Sequence, residues 1–258
     1  VKGVLFAAPY HIGFGKEYIS ENLDLNKIRS GWGFPHELGH QLQVRPAMLW
    51  KGMTEVTNNI QSMDVQRWLG NSSRLLTEVK ENYPNAYEGA MHQAFVLKKP
   101  YSRIEDVFCQ LVPFWQLRLY EMDILGKQDF YTDLYEEARK LRETKMTNGK
   151  LQLIFIYLCC KSAHQDLRPF FKNWGFMQPI HTIIDDYGKA DMIITEQDID
   201  DINRKIEALN LNEIPNDIIK YITDGNIKII KQKKPSVFGT ITYNSTTHTF
   251  KMKGFNNI

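Results

Sequence analysis

The stretch GWGFPHELGHQLQ carries His36 and His40 four residues apart, with Glu37 directly after the first histidine. The pattern favours a helix in whose first turn Pro35 is tolerated and which Pro46 closes. On a helix, residues i and i+4 lie on one face, so both imidazoles can reach one metal ion. The glutamate lies one step round the helix, where it can deprotonate a water molecule beside that ion. The pattern indicates a zinc site, and the competing interpretation is a chance pattern on an amphipathic helix.

A zinc ion in a hydrolase needs three protein ligands and one open position, so a third ligand must come from elsewhere. A second helix is predicted from about Thr54 to Leu69, and it places Glu55 and Asn59 at i and i+4 on one face. The carboxylate can bind zinc, and the carboxamide can hydrogen-bond the far nitrogen of a ligating histidine. Glycine in a helix costs ~1 kcal/mol relative to alanine, so Gly39 predicts close approach of the second helix. The two segments together predict a single Zn²⁺ site.

Peptide-bond hydrolysis is the chemistry that such a site predicts. Zinc would lower the pKa of a bound water to ~7, and Glu37 would take its proton and pass it to the departing amine. Many sites of this kind add a Tyr or His that hydrogen-bonds the oxyanion. Four residues are candidates for that role, and the sequence does not choose among them: Tyr87, His92, Tyr157 and His164.

Composition bounds the class of protein. The chain has 258 residues, 43% hydrophobic and 24% charged, which is ordinary for a globular protein with one large or two modest domains. A net charge of +2 gives no support to nucleic-acid binding. No apolar run reaches the ~20 residues of a membrane-spanning helix. The three cysteines lie in apolar surroundings and are expected to be buried free thiols.

The elements along the chain predict a mainly helical α+β fold. GVLFAAP reads as a short strand, a loop-rich stretch follows to Ser30, and the first site helix runs from about Gly33 to Arg45. The middle of the chain is aromatic and helical. Its predicted helices are IEDVFCQLVPFWQLRLYEMDIL, DFYTDLYEEARKLRET, LQLIFIYLCCKSAH and DLRPFFKNWGF.

The pattern changes after Pro179. A polar helix, TEQDIDDINRKIEALN, has Thr195 as its expected N-cap. From Asn226 onward an alternating segment predicts a terminal β-hairpin with its turn near residues 244–246. We therefore expect a metallopeptidase domain over residues 1–180 and an appendage of helix and hairpin over residues 181–258. Because the chain begins without Met and already in a strand-like run, we expect part of the first domain to precede it.

GWGFPHELGHQLQ, followed by WKGMTEVTNNIQSMDVQ, resembles the signature of the enhancin-like, mucin-degrading zinc peptidases, metallopeptidase family sixty of the gluzincin clan. QLRLYEMDILGKQDFYTDLYEEAR and DLRPFFKNWGF are similar to later segments of that family, so the resemblance covers about residues 9–176. It implies a zincin, gluzincin-like catalytic domain with an active-site helix pair and a helical C-terminal subdomain, beside a small terminal β element. It also implies that His36, His40 and Glu55 bind zinc and that Glu37 is the catalytic base.

The resemblance further implies a secreted or surface-attached enzyme that cuts glycoproteins, often O-glycosylated mucins. A zinc peptidase without a glycan requirement, or an inactive scaffold that binds glycan or protein, would fit the same residues. The oligomeric state stays open.

Overall fold

The computed structural model describes residues 5–20, 24–141, 145–214, 217–232, 240–244 and 249–253. Helices dominate this part of the chain, and its strands form three separate two-stranded antiparallel sheets. The mainly helical α+β class predicted from the sequence is therefore confirmed. Among the described residues no helix is both long and apolar enough to cross a bilayer.

The helices vary from single turns to the long buried helix in the middle of the chain. In chain order they are α1 (Leu25–Ile28), α2 (Gly33–Leu42), α3 (Asn59–Trp68), α4 (Arg74–Thr77), α5 (Ala86–Met91), α6 (Val107–Arg118), α7 (Phe130–Arg139), α8 (Asn148–Ala163), α9 (Arg168–Asn173), α10 (Glu196–Glu207) and α11 (Ile227–Gln232). Short π-helical segments, His92–Val96 and Leu119–Ile124, continue α5 and α6. Short 3₁₀ turns lie at Lys16–Tyr18, Tyr101–Arg103 and Asp217–Tyr221.

Three hairpins supply the strands, which are β1 (Leu5–Ala8), β2 (His11–Phe14), β3 (Ile180–Asp185), β4 (Lys189–Ile194), β5 (Thr240–Asn244) and β6 (Thr249–Lys253). The first hairpin lies beside α2, where Gln41 Nε2 donates to the Ala8 carbonyl at 2.5 Å. The terminal hairpin predicted from the sequence is confirmed by the β5–β6 pair. The turn was expected near residues 244–246, of which 244 ends β5 and 245 and 246 lie outside the described residues.

The core is built from aromatic side chains around α6 and α8. The rings of Phe114 and Phe155 lie 5.3 Å apart between centroids, and Trp50 lies 5.5 Å from Phe155. Such packing adds to the burial energy of the rings and fixes their orientation. Trp50, Met53 and Val56 are all buried in this core, so the chain on both sides of Glu55 is anchored to it. The three cysteines are free and buried, as predicted.

The second site helix begins later than predicted. It starts at Asn59 rather than Thr54, and residues 54–58 form successive turns. A tertiary hydrogen bond explains the difference. Gln43 Nε2 donates to the carbonyl of Thr54, which a helix would need as the acceptor for the amide of Asn58. Glu55 therefore lies in a turn rather than on a helix.

Other sequence predictions fail where short elements depend on distant partners. The loop-rich stretch before Ser30 contains β2 and α1. The alternating segment from Asn226 begins with α11 rather than with a strand. The β3–β4 hairpin was not predicted, although α10 after it was, with Thr195 closing a capping box with Asp198. Met192, Ile194 and Ile202 share the core cluster of the earlier helices, and the domain boundary at residue 180 stays a prediction.

Candidate metal centre

Helix α2 presents two histidines to one point in space. The rings of His36 and His40 lie 4.9 Å apart between centroids, as expected for residues one helical turn apart. Glu55 meets them there, because its Oε2 lies 3.0 Å from His36 Nε2 and 3.4 Å from His40 Nε2. The structure therefore brings together the three residues that the sequence suggested as metal ligands.

The donor set fits a small divalent ion. The ligand atoms of the two histidines and Glu55 all lie within 4.8 Å of one another. Donor atoms bound at ~2.0–2.2 Å to a tetrahedral ion lie roughly 3.3–3.6 Å apart, and Glu55 Oε2 lies 3.0 and 3.4 Å from the two imidazole nitrogens. An ion held by two imidazoles and one carboxylate would have a fourth position left for water or substrate. The residues present could hold a metal ion with small adjustments of their side chains.

Close packing at Gly39 makes this meeting possible. The residue is buried on the face of α2 that meets residues 54–59. A Cβ at this position would collide with the backbone carbonyl of Asn58. The glycine predicted to allow close approach does so, although the partner is the turn before α3 rather than a helix.

Two side-chain amides fix the orientation of the imidazoles. Asn59 Oδ1 lies 2.7 Å from His36 Nδ1, and Gln43 Oε1 lies 3.1 Å from His40 Nδ1. Each amide nitrogen donates elsewhere, from Asn59 to the Glu55 carbonyl and from Gln43 to Thr54 and Thr57. Each amide oxygen must therefore accept, so both Nδ1 atoms carry the proton. Each Nε2 faces Glu55 Oε2, so it donates to that carboxylate while it is protonated and offers a lone pair to a metal ion there once the proton is lost.

The charges of the three groups are strongly linked. Hydrogen bonds from His36 and His40 hold the pKa of Glu55 well below its usual range, against the opposing effect of burial. Burial on its own lowers the pKa of His40, but hydrogen bonds with Glu55 and Gln43 outweigh it and raise that pKa. A negative carboxylate facing two imidazoles is the charge arrangement that a cation would stabilise further.

The cavity beside the ligands has a volume of about 930 Å³. Glu37 lines it, half-buried, as expected for a base next to a metal ion. The other walls come mainly from β1, from the end of α2 and the residues after it, and from Tyr187, which is distant in the sequence. Besides the ligands and Glu37, the lining residues are Leu5, Phe6, Ala7, Ala8, Pro9, Gln41, Gln43, Arg45, Thr54 and Tyr187.

None of the four oxyanion candidates lines this cavity. Tyr87 is buried and its hydroxyl donates to Asp224 at 2.8 Å. His92 pairs with the hydroxyl of Tyr83 at 2.9 Å, and His164 caps the C-terminal end of α8 in the left-handed conformation. Tyr157 is half-buried within α8. The structure does not bring these side chains to the metal centre, because their places in the fold are set by core packing and helix capping.

Sequence reasoning missed three residues that contact the centre. Gln43 was detectable, since it lies three residues after His40 on the same face. Asn58 is fully buried, and its Nδ2 lies 3.1 Å from His40 Nε2. A histidine contact was predicted only for its neighbour Asn59. Tyr187 donates its hydroxyl to Glu55 Oε1 at 2.8 Å, which raises the pKa of the tyrosine to about 12. No local pattern links it to a residue 132 positions earlier.

Comparison with known proteins places the chain in a family. The family described as "Peptidase M60, enhancin and enhancin-like" matches residues 1–175. A comparison with curated proteins returned no match.

Solved structures share the fold. A metallopeptidase in complex with Tn antigen is 22% identical with a TM-score of 0.75, over 93% of this chain and 48% of that one. A functionally unknown conserved protein from Bacillus anthracis str. Ames is 31% identical with a TM-score of 0.68, over 88% and 40%. A metallopeptidase from Bacteroides thetaiotaomicron is 20% identical with a TM-score of 0.75, over 97% and 49%.

The chain spans about half the length of these structures or less. The family match, however, covers more than half of the chain and contains α2, the turn with Glu55 and the start of the helical core. The chain therefore belongs to the peptidase M60 family of enhancin and enhancin-like proteins.

Proposed function

We propose that this chain is a zinc-dependent endopeptidase that hydrolyses peptide bonds in glycoproteins, with O-glycosylated, mucin-type polypeptides as substrates. The observation that carries the proposal is the convergence of three donor atoms, from His36, His40 and Glu55, beside a cavity that Glu37 lines. Membership of a peptidase family supports the same reaction.

Zinc is the ion that the donor chemistry favours. Two imidazole nitrogens and one carboxylate oxygen, with a fourth position open, form a ligand set used by zinc hydrolases. When bound, zinc would polarise the scissile carbonyl and make a water molecule acidic. His36 and His40, with Nδ1 protons held by amide oxygens, would supply neutral Nε2 atoms to the ion.

Glu37 would act as the general base and then as the general acid. Its carboxylate lies in the cavity one residue along α2 from a ligand. There it would take a proton from the attacking water and return it to the amine nitrogen as the peptide bond breaks. Proton transfer by a positioned side chain contributes ~10²–10⁴-fold to the rate of such a reaction. Without Glu37 the chain would therefore bind the metal ion but hydrolyse peptides far more slowly.

The glycoprotein substrate rests on the relatives. One structure with the same fold is a metallopeptidase in complex with Tn antigen. A cavity of about 930 Å³ has the size of a site that holds several groups of a ligand. A substrate of this kind would be met outside the cell, so we propose a secreted or surface-attached location.

Matched peptides test this function. A Thr-containing peptide and its O-linked GalNAc twin would be incubated with the zinc-loaded chain and with its Glu37→Gln variant. We expect cleavage of the glycopeptide by the wild-type chain, much slower cleavage of the bare peptide, and cleavage ~10²–10⁴-fold slower by the variant. Equal rates on both peptides would favour a peptidase without a glycan requirement. Glycopeptide binding without cleavage would favour an inactive binding module.

A further inference from the structure

The turn between β3 and β4 contacts the metal centre although it lies more than 130 residues later in the chain. Asp186 Oδ2 accepts hydrogen bonds from the amide of Gly52 at 2.8 Å, the amide of Thr54 at 3.3 Å and the hydroxyl of Thr54 at 2.8 Å. The next residue, Tyr187, donates to Glu55 Oε1 at 2.8 Å. In this one turn, Asp186 thus holds the backbone before Glu55, and Tyr187 holds the carboxylate of Glu55.

We propose that Asp186 and Tyr187 form a positioning element that presents Glu55 to the metal ion. This inference rests on the proposed function, because it assigns a role toward the ligand set of that site. It extends the site to a hairpin that begins after the last residue of the family match, at residue 175.

The geometry of residues 52–55 explains why such an element is needed. His36 and His40 are held by the hydrogen-bonded backbone of α2, whereas Glu55 lies in a turn outside any helix. Its side chain has three rotatable bonds, and ordering it costs conformational free energy. The hydroxyl of Tyr187 binds Oε1, which leaves Oε2 directed at the two imidazoles. A hydrogen bond to an ionised carboxylate is stronger than one between neutral groups, so it can hold this orientation.

The hairpin itself is firmly attached. Asn148, at the start of α8, accepts from the Lys51 amide and donates to the Asp191 carbonyl, both at 2.9 Å. It therefore ties β4 to the chain just before Gly52. On β4, Met192 and Ile194 are buried in the main core. These contacts fix the turn relative to the segment that it holds.

The backbone of the turn supports a role for the side chain of Tyr187. Its φ is 55°, in the left-handed region that bulky residues seldom adopt. Glycine or asparagine would occupy this position at lower cost. The tyrosine is 82% exposed, so core packing does not explain its presence, and its hydrogen bond to Glu55 does.

Zinc affinity measured by competition with a chromophoric chelator tests the inference in the whole chain. The variants are Tyr187→Phe, which removes only the hydroxyl, and Asp186→Asn, which weakens the anchor. Asp185→Asn is the matched control, because this neighbouring carboxylate is exposed and does not line the cavity. We expect zinc affinity to fall ~10-fold or more in the first two variants, in line with other residues that orient metal ligands, and to stay unchanged in the control.

Thermal unfolding of the metal-free variants separates positioning from folding. Tyr187→Phe should keep the wild-type Tm, so its lower affinity would arise at the site. Unchanged zinc affinity in Tyr187→Phe and Asp186→Asn would overturn the inference while leaving the proposed function intact. A lower kcat with unchanged zinc affinity in Tyr187→Phe would also overturn it, and would make the tyrosine an oxyanion donor. A wild-type chain that binds no zinc would contradict the proposed function and this inference together.

Discussion

Two regions of the molecule meet at Glu55, and they differ in how they are encoded. The first is α2 with the following residues 43–59, where ligands and amides lie within a short stretch of chain. The second is the β3–β4 hairpin, whose contacts to that stretch span more than 130 positions. The two histidines of the first region follow from helical periodicity, whereas the contacts of the second follow from tertiary packing. A sequence motif can thus identify some residues of a metal centre while others come from an element that has no recognisable motif.

The largest effect is expected from the first region. His40→Ala removes a ligand and leaves only two, so zinc binding and hydrolysis should both be lost. His181→Ala is the matched control, since this exposed histidine lies on β3 and does not line the cavity. Zinc content measured by atomic absorption after dialysis checks the prediction. A His40→Ala protein that retains one zinc would remove this residue from the ligand set.

Glu37→Gln should separate chemistry from metal binding. Among the described residues no hydrogen bond or ion pair joins its side chain to His36, His40 or Glu55, so zinc affinity should stay near the wild-type value. The rate of peptide hydrolysis should fall by ~10²–10⁴-fold because the general base is lost. Steady-state kinetics on the glycopeptide measures this effect. Wild-type kcat in the variant would show that another group handles the proton.

Gly39→Ala tests the close contact inside the first region. The new Cβ would overlap the Asn58 carbonyl, so α2 and residues 54–59 must move apart. We expect a loss of about 1–3 kcal/mol in the free energy of unfolding, together with weaker zinc binding. Gly225→Ala is the control, because a Cβ there meets only ordinary contacts at 3.5 Å and beyond. Equal urea midpoints for both variants would contradict the assigned role of Gly39.

Asn59→Ala measures how strongly one amide supports a ligand. Removing its Oδ1 leaves the Nδ1 proton of His36 without its acceptor, and the imidazole can then turn. Zinc affinity should fall ~10-fold or more. Gln43→Ala should lower zinc affinity in the same way through His40. Comparing these losses with that of Tyr187→Phe would show which of the two regions contributes more to zinc affinity. Unchanged affinity in Asn59→Ala would exclude it from the site.

The smallest effect is a pH dependence in the metal-free chain. The pKa of Glu55 is lowered on folding, so its stabilising contribution is present above its unfolded value of 4.5 and lost as pH falls through the folded pKa. The pKa of His40 is raised, so its contribution is present below 6.5 and lost as pH rises through the folded pKa. The stability difference between wild type and Glu55→Gln should therefore peak between pH 4.5 and 6.5. Urea unfolding with chelator present measures it, and a flat difference would argue against this ion pair.

The local sequence pattern was sufficient to predict many of the residues that meet at the metal centre. The spacing of His36 and His40 and the glycine between them follow from residues that share a turn of α2, and Asn59 lies where it was predicted to lie, against His36, although Glu55 is not on its helix. The start of α3 could not be predicted the same way, because Gln43, in a different segment, hydrogen-bonds the carbonyl of Thr54.

The failed predictions share a physical reason. A lone tyrosine or histidine carries no local signal of where its side chain will lie, so Tyr87 and His92 could not be distinguished from Tyr187. The segment from Asn226 alternates in sequence, yet its first part folds as α11, with Ile227 buried. In each case the choice is made by contacts between residues far apart in the chain.

Anomalous diffraction from crystals of the zinc-loaded chain would locate the metal and its ligands in one measurement. We expect one zinc peak with His36 Nε2, His40 Nε2 and a Glu55 oxygen at ~2.0–2.2 Å, and with Tyr187 hydrogen-bonded to the other oxygen of that carboxylate. A zinc peak whose third protein ligand is not Glu55, or a Glu55 that Tyr187 does not contact, would contradict this expectation.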